Sequence, residues 1–170
     1  MKIGVISDTH GVVHPRIADV FRSVTHIVHG GDVGGEDVLD ELRRIAPVTF
    51  VEGNVDDGEG TSIARTTLGG LRILVTHILP RPRDLAPRVA RAMAQEPADF
   101  VVFGHSHLPH DELVGGVRFL NPASAGPRRF DYPTSVALIE EQRGSWNAWH
   151  VPLDDRSIAA LRARMNQLSR

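Results

Sequence analysis

Five short apolar runs, each followed within three residues by a residue of a metal-ligating type, constrain this chain more than any other feature. The runs are Lys2 to Ser7, Thr25 to His29, Val48 to Val51, Leu71 to Thr76 and Asp99 to Phe103. They are rich in β-branched residues and short, so each reads as a buried strand. Two helical patterns lie between them. Glu36 to Ile45 places Val38, Leu39, Leu42 and Ile45 on one face, and Arg83 to Gln95 does the same with Leu85, Val89, Ala92 and Met93. Alternating strands and helices predict an α/β fold with a largely parallel inner sheet. The last third changes character: Gly116 to Leu120, Thr134 to Glu140 and Trp146 to Val151 read as consecutive strands of an antiparallel sheet edge. Asp154 or Asp155 then caps a final helix through Leu168, whose Ile158, Leu161, Met165 and Leu168 form one apolar stripe. Packing of that stripe on its own domain is the simplest account, with a dimer contact second.

The residues at the end of each run carry the chemistry. Asp8-Thr9-His10 comes after the first, Gly30-Gly31-Asp32 after the second, Gly53-Asn54 after the third, His77 after the fourth and Gly104-His105-Ser106-His107 after the fifth. Singly, each has a plain structural explanation, since Asp and Asn suit turns and a histidine after a strand is commonly structural. Jointly they place a carboxylate, an amide or an imidazole at the carboxyl end of every inner strand. Ligands bind at those ends in parallel α/β sheets. Seven side chains separated by about a hundred positions therefore converge: Asp8, His10, Asp32, Asn54, His77, His105 and His107.

The chain has nine histidines and no cysteine, so a metal site here is built from imidazole, carboxylate and amide. That mixture suits Mn²⁺, Fe²⁺, Zn²⁺, Co²⁺ or Ni²⁺ better than Ca²⁺ or Mg²⁺. Seven donors exceed what one tetrahedral ion takes and suit two ions sharing one carboxylate. Such ions sit about 3.5–4 Å apart and clamp a phosphate for in-line displacement.

Length and composition bound the alternatives. At 170 residues one domain is expected over 1–170. The net charge of −2 gives no general pull toward nucleic acid or an anionic membrane. No run approaches the roughly 18 apolar residues of a membrane helix. The opening MKIGVISDTHG is too poor in apolar residues for a signal peptide, so a cytoplasmic location is expected.

The ordered series Asp-x-His (8, 10), Gly-Asp (31, 32), Gly-Asn (53, 54), His77 and Gly-His-x-His (104–107) resembles the calcineurin-like metallophosphoesterase superfamily. The opening residues and Asn121-Pro122-Ala123-Ser124 resemble its small prokaryotic phosphodiesterase branch, and the likeness runs from about Met1 to Trp149. The resemblance implies a sandwich of two β-sheets flanked by helices. It implies that Asp8, His10 and His107 hold one ion, that Asn54, His77 and His105 hold the other, and that Asp32 bridges them. Asp32, Asn54 and His77 are then the residues closest to catalysis, with Asn54 also touching a phosphate oxygen. The implied activity is hydrolysis of a small phosphodiester by a hydroxide bridging two divalent ions, Mn²⁺ first among them and Fe, Zn, Ni or Co next. A homodimer is the expected association; no membrane or long nucleic acid is an expected partner.

Three positions depart from the pattern. Many superfamily members follow Gly-Asn with a histidine that assists the leaving group, but here Val55 follows, then Asp56. The branch usually has glycine after the fourth-strand histidine, where this chain has Ile78 and then Leu79-Pro80. The branch's Asn-Pro-Gly-Ser carries Ala123 in place of glycine. His29 is a candidate for orienting a ligand, and Arg128 and Arg129 are candidates for meeting a phosphate. His14, His26, His110 and His150 have no motif support and read as structural or exposed. The alternative to an enzyme is a metal-binding scaffold resembling the retromer subunit of the same superfamily, which has lost part of the metal set. All seven positions hold competent ligands here, which favours the enzyme.

Overall fold

A computed structural model describes residues 1–57 and 63–168. The five inner runs form strands β1 (Lys2–Ile6), β2 (His26–His29), β3 (Val48–Phe50), β5 (Leu71–Thr76) and β6 (Phe100–Val102). The remaining strands are β4 (Ile63–Leu68), β7 (His110–Val114), β8 (Val117–Asn121), β9 (Ser135–Gln142) and β10 (Ser145–Pro152). Helices α1 (Ile17–Phe21), α2 (Glu36–Arg43), α3 (Pro87–Gln95) and α4 (Asp155–Leu168) complete the described chain. They make two five-stranded sheets, in the orders β10-β9-β1-β2-β3 and β4-β5-β6-β8-β7.

Both sheets are mixed. β1, β2 and β3 run parallel, and β9 pairs antiparallel to β1. β5, β6 and β8 run parallel, with β4 and β7 antiparallel at the two edges. The expectation of one parallel inner sheet is thus replaced by two short parallel cores, each finished by antiparallel strands. The expected antiparallel succession in the last third is also divided. β8 lies in the second sheet beside β6, whereas β9 and β10 form a hairpin in the first.

Side-chain parity explains the layering. Alternate strand residues face opposite ways. Ile3, Val5, Val28, Ile73, Val75, Phe100, Val102, Leu120, Ala137 and Ile139 form the cluster between the sheets. Their sequence neighbours face outward. Ile6, Ile27, Val136 and Leu138 pack with Ile17 and Phe21 of α1 and with Val38, Leu39 and Leu42 of α2. Leu74, Val101 and Phe119 pack with Val89 of α3. The result is a four-layer helix–sheet–sheet–helix arrangement.

Four local differences from the sequence reading have physical causes. β4 and β7 are edge strands with polar sequences, IARTTL and HDELV, and only half-buried faces, so no apolar run marks them. α1 has five residues, too few to show a helical period. α3 begins at Pro87, not Arg83, because Pro takes the first helical position without needing its absent N–H; Leu85 instead packs from the preceding loop. In α4 the buried positions are Ser157 and Leu161, and Ile158 is 39% exposed. Asp154 caps this helix, accepting from the Ser157 N–H at 2.8 Å. α4 packs against β10 and β7, one edge strand of each sheet.

Candidate metal centre

Each ligand-type residue lies just beyond the carboxyl end of a parallel strand: Asp8 and His10 after β1, Asp32 after β2, Asn54 after β3, His77 after β5, and His105 and His107 after β6. The two parallel cores therefore bring their loops to the same edge of the sandwich. The loops are bonded to one another. The Asp8 N–H donates to Gly31 O at 2.9 Å, the His10 N–H to Asp32 O at 3.0 Å, and the Gly104 N–H to His77 O at 3.0 Å.

The backbone here is unusual. Asp8, His10, Asp32, His105 and His107 all have φ between 49° and 68°. Left-handed backbone costs an ordinary L-residue roughly 1–2 kcal/mol, and such positions gather at functional sites because surrounding structure must enforce them. Two glycines permit the crowding. A Cβ on Gly53 would fall 2.0 Å from Asp32 Oδ1, and one on Gly104 would fall 2.0 Å from Ser7 Oγ and 2.8 Å from Asp8 Oδ2.

The side chains form two groups joined by one carboxylate. The ligand atoms of Asp8, His10, Asp32 and His107 all lie within 4.8 Å of one another. His10 Nε2 is 3.1 Å from His107 Nε2, and His107 Nε2 is 3.4 Å from Asp8 Oδ1. In the second group, Asn54 Oδ1 is 3.0 Å from His77 Nε2 and 2.9 Å from His105 Nδ1. Asp32 reaches both: Oδ2 is 3.8 Å from His10 Nε2, and Oδ1 is 3.3 Å from His77 Nε2. The Val55 N–H donates to Asp32 Oδ1 at 3.0 Å and holds the carboxylate in that orientation.

Protonation suits metal binding. The His77 Nδ1–H donates to Gly30 O at 2.8 Å, which turns Nε2 toward the site. Burial alone would raise the Asp8 pKa. Hydrogen bonding and charge from His107, with help from Ser7 and His77, outweigh that and hold it below the usual carboxylate value. Burial lowers the His10 pKa, and the nearby Arg129 charge lowers it further. An ionised carboxylate and a neutral imidazole are the forms that bind metal. The facing Nε2 atoms of His10 and His107 are a poor arrangement for two unbound rings and a natural one for two rings meeting a cation. The donor set therefore fits divalent metal.

Other residues hold the ligand loops together, some of them, His29 among them, already candidates from the sequence. His29 is fully buried; the Gly31 N–H donates to its Nδ1 at 3.1 Å, so its Nε2–H faces Thr9 Oγ1 at 2.9 Å. The Thr9 hydroxyl donates to Val33 O at 2.9 Å, so the chain of bonds ties the Asp8–His10 loop to the Asp32 loop. Asp56 accepts from the N–H groups of Val33, Gly34 and Gly53, joining the Asp32 and Asn54 loops. Partial burial would raise its pKa, but these three donors bring it below the ordinary value. Asn121 Nδ2 donates to Gly104 O at 2.8 Å and Ser124 Oγ donates to Asp8 O at 2.9 Å, so the Asn121–Ser124 turn braces two ligand loops from behind. Ala123, where the branch has glycine, takes φ +71° within it.

The lower-ranked candidates separate. Arg128 binds both carboxylate oxygens of Asp154, at 2.8 and 2.9 Å, and serves the α4 cap instead of the centre. His150 Nε2 lies 2.7 Å from Asn121 O, and His26 Nε2 lies 2.8 Å from Thr49 Oγ1, so both are structural. Ile78 is half-buried and Leu79 is buried against α3. A groove of about 670 Å³ lined by Gly70, Asp99, Phe100, Arg118, Trp146 and Met165 lies at the opposite strand ends.

A two-sheet sandwich with histidine, carboxylate and amide donors gathered at its strand ends defines a phosphoesterase-like metalloprotein. Residues 1–144 match the model of the calcineurin-like phosphoesterase superfamily domain, and the chain belongs to that superfamily. A probable metallophosphoesterase of Methanothermobacter thermautotrophicus is 33% identical over 146 residues, covering 81% of this chain and 85% of the relative. The probable metallophosphoesterase YsnB of Bacillus subtilis is 28% identical over 144 residues, covering 82% and 83%. A predicted phosphoesterase of Streptococcus pneumoniae shares the fold with a TM-score of 0.70 at 24% identity, covering 90% of each chain. Vps29 of Entamoeba histolytica, solved in complex with zinc, has a TM-score of 0.65 at 24% identity and covers 91% of this chain and 100% of its own. Among the described residues no helix is long and apolar enough to cross a membrane.

Proposed function

We propose that this protein is a metal-dependent phosphodiesterase with two divalent ions per chain. The observation that carries the reading is the Asp32 carboxylate, which faces His10 with one oxygen and His77 with the other. Asp8, His10 and His107 would hold one ion and Asn54, His77 and His105 the second, with Asp32 shared. Bound there, two ions would supply a water of lowered pKa as nucleophile and positive charge against the phosphate oxygens.

The chain's own residues have distinct tasks. Buried Asp8 and Asp32 bring negative charge that offsets the ions. The Gly30 carbonyl fixes the His77 tautomer, and the Val55 N–H fixes Asp32. Asn54 and His105 lie exposed on the open side, where a phosphate arrives. Among the described residues nothing bonds the Asn54 amide nitrogen, which can donate to a phosphate oxygen while Oδ1 faces the metal donors. Val55 offers the leaving group no proton, and Asp56 is ionised by its three N–H donors. Leaving groups that are stable as anions are therefore favoured, and a singly charged diester is favoured over a monoester dianion that binds tightly and leaves slowly.

A scaffold reading rests on the likeness to Vps29, which itself forms a complex with zinc in the Entamoeba histolytica structure. Metal binding alone therefore does not separate the two readings; turnover does. Mn²⁺-loaded protein should cleave bis-p-nitrophenyl phosphate well and p-nitrophenyl phosphate poorly. Metal binding without turnover on a panel of aryl and cyclic diesters would favour the scaffold. Equal efficiency on monoester and diester would remove the diester preference.

A further inference from the structure

The turn at Arg129–Tyr132 combines features that the fold does not need. The segment leading into it is pinned to the first ligand loop. The Ala125 N–H donates to Ser7 O at 3.0 Å and the Gly126 N–H donates to Asp8 O at 3.1 Å. A Cβ on Gly126 would fall 2.5 Å from both Asp8 O and Thr9 O. The far side is anchored too, since Arg128 binds Asp154 and, at 3.1 Å, Tyr132 O. Between these anchors, Tyr132 N–H donates to Arg129 O at 3.2 Å and closes a four-residue turn.

Phe130 occupies that turn with φ +53°, a conformation that bulky side chains rarely adopt. The residue is 83% exposed, and its ring lies 5.6 Å from that of Tyr132, a residue 37% exposed. The left-handed backbone and the exposed ring both oppose stability, and no packing of the fold recovers either. Arg129 is exposed, and no side-chain ion pair or hydrogen bond holds it among the described residues.

Resting on the phosphodiesterase reading, we propose that Arg129, Phe130 and Tyr132 form a substrate lip beside the first ligand loop, to which Ala125 and Gly126 pin the segment, selecting diesters with a nucleobase on one ester arm. Arg129 takes a non-bridging phosphate oxygen, to which a guanidinium donates through a fork of N–H groups. Phe130 and Tyr132 stack on the base. Stacking on an exposed aromatic is sequence-tolerant and worth about 1–3 kcal/mol per base, roughly five- to 150-fold in binding.

Two substrates with one leaving group isolate the lip: thymidine 5′-(p-nitrophenyl phosphate) and methyl p-nitrophenyl phosphate, each with Mn²⁺-loaded protein. The expected kcat/KM ratio is about tenfold in favour of the nucleoside, the effect of one good stacking contact. Phe130→Gly and Tyr132→Ala should bring the ratio toward one. Phe130→Gly should do so without lowering Tm, because glycine accepts the positive φ. Arg129→Gln should lower kcat/KM on both substrates, by about five- to tenfold for one charge-assisted contact. A ratio near one in the unmodified protein, or a ratio unmoved in Phe130→Gly, overturns the lip. If neither diester is cleaved, the phosphodiesterase reading fails by itself, and calorimetry with thymidine 5′-monophosphate and methyl phosphate decides the lip. Tighter binding of the nucleotide, lost in Phe130→Gly, upholds it; equal binding of the two ligands removes it.

Discussion

The two halves of the centre use similar donors but sit in different surroundings. Asp8 and His107 are 0% and 5% exposed, and His10 is half-buried between them. In the other half His77 is 0% exposed, but Asn54 and His105 are open to solvent. The first half is also held more firmly: Asp8 accepts the His105 N–H at 3.1 and 3.2 Å, and its loop is braced by Ser124. Charge in water-excluded surroundings interacts strongly, whereas exposed donors are screened and compete with water. An ion in the enclosed half should therefore be retained and one in the open half exchanged.

The strongest test removes what the halves share. Asp32→Ala takes a ligand from both at once, and diesterase activity should fall by at least about 10³-fold, beyond the 10–100-fold typical of losing a supporting partner. Elemental analysis after dialysis against Mn²⁺ should show loss at both positions. Near-normal turnover in this variant would remove the bridging assignment, and occupancy of the unmodified protein saturating at one ion would remove the two-ion centre.

Replacing one ligand in each half tests the asymmetry. His107→Ala should weaken binding of the retained ion by about 100-fold or more, and His105→Ala should weaken the exchangeable one by closer to tenfold, around the range known for altered metal surroundings. Competition against a chelator, followed by metal content, reads both. Equal losses would mean that burial does not distinguish the halves.

Val55 lies at the open half, 49% exposed. Val55→His introduces a proton donor there. Its benefit should reach about tenfold for alkyl leaving groups, below the 10²–10⁴-fold typical of general acid help because the position is not otherwise built for it. Aryl leaving groups should gain little. A variant indifferent to the leaving group would point to another source of the proton.

The ligands are legible in the sequence because each stands at a fixed place, just after an apolar run, where a parallel strand must end. The supports are less legible because their partners are distant in sequence and their residue types are ordinary. In the sequence Asp56 is only the residue that follows Val55, and its three N–H donors appear only in the fold; Thr9 likewise shows its bonds to His29 and Val33 only there. Arg128 and Arg129 look equivalent, yet one is committed to Asp154 and the other is not. For the fold, strands with an apolar face on both sides are readable, while β4 and β7 are hidden by their polar edge faces. The division of β8 from β9 is hidden for a different reason. Which sheet a strand joins is decided by the chain's path between layers, and the Asn121–Ser124 turn carries it from one to the other.

His29 offers the smallest and most specific test, because it serves the enclosed half without touching a ligand side chain. Burial lowers its pKa from 6.5 to about 4, so the folded protein keeps this ring neutral where the unfolded chain would protonate it. Between those values the unfolded state binds more protons, so stability rises with pH through the window and is lost as pH falls from about 6.5 toward 4. At 1.36 kcal/mol per unit, the contribution at stake is on the order of 3 kcal/mol. His29→Gln removes the titration while leaving an amide able to accept from Gly31 and donate to Thr9. Metal-free protein should be used, so that ligand release does not add to the effect. The Tm of the unmodified protein should then fall more steeply between pH 7 and 4.5 than that of His29→Gln, the two curves being parallel above pH 7. Parallel curves throughout would mean that His29 is protonated in the fold, and that the Gly31–His29–Thr9 chain is not the arrangement that holds the first two ligand loops together.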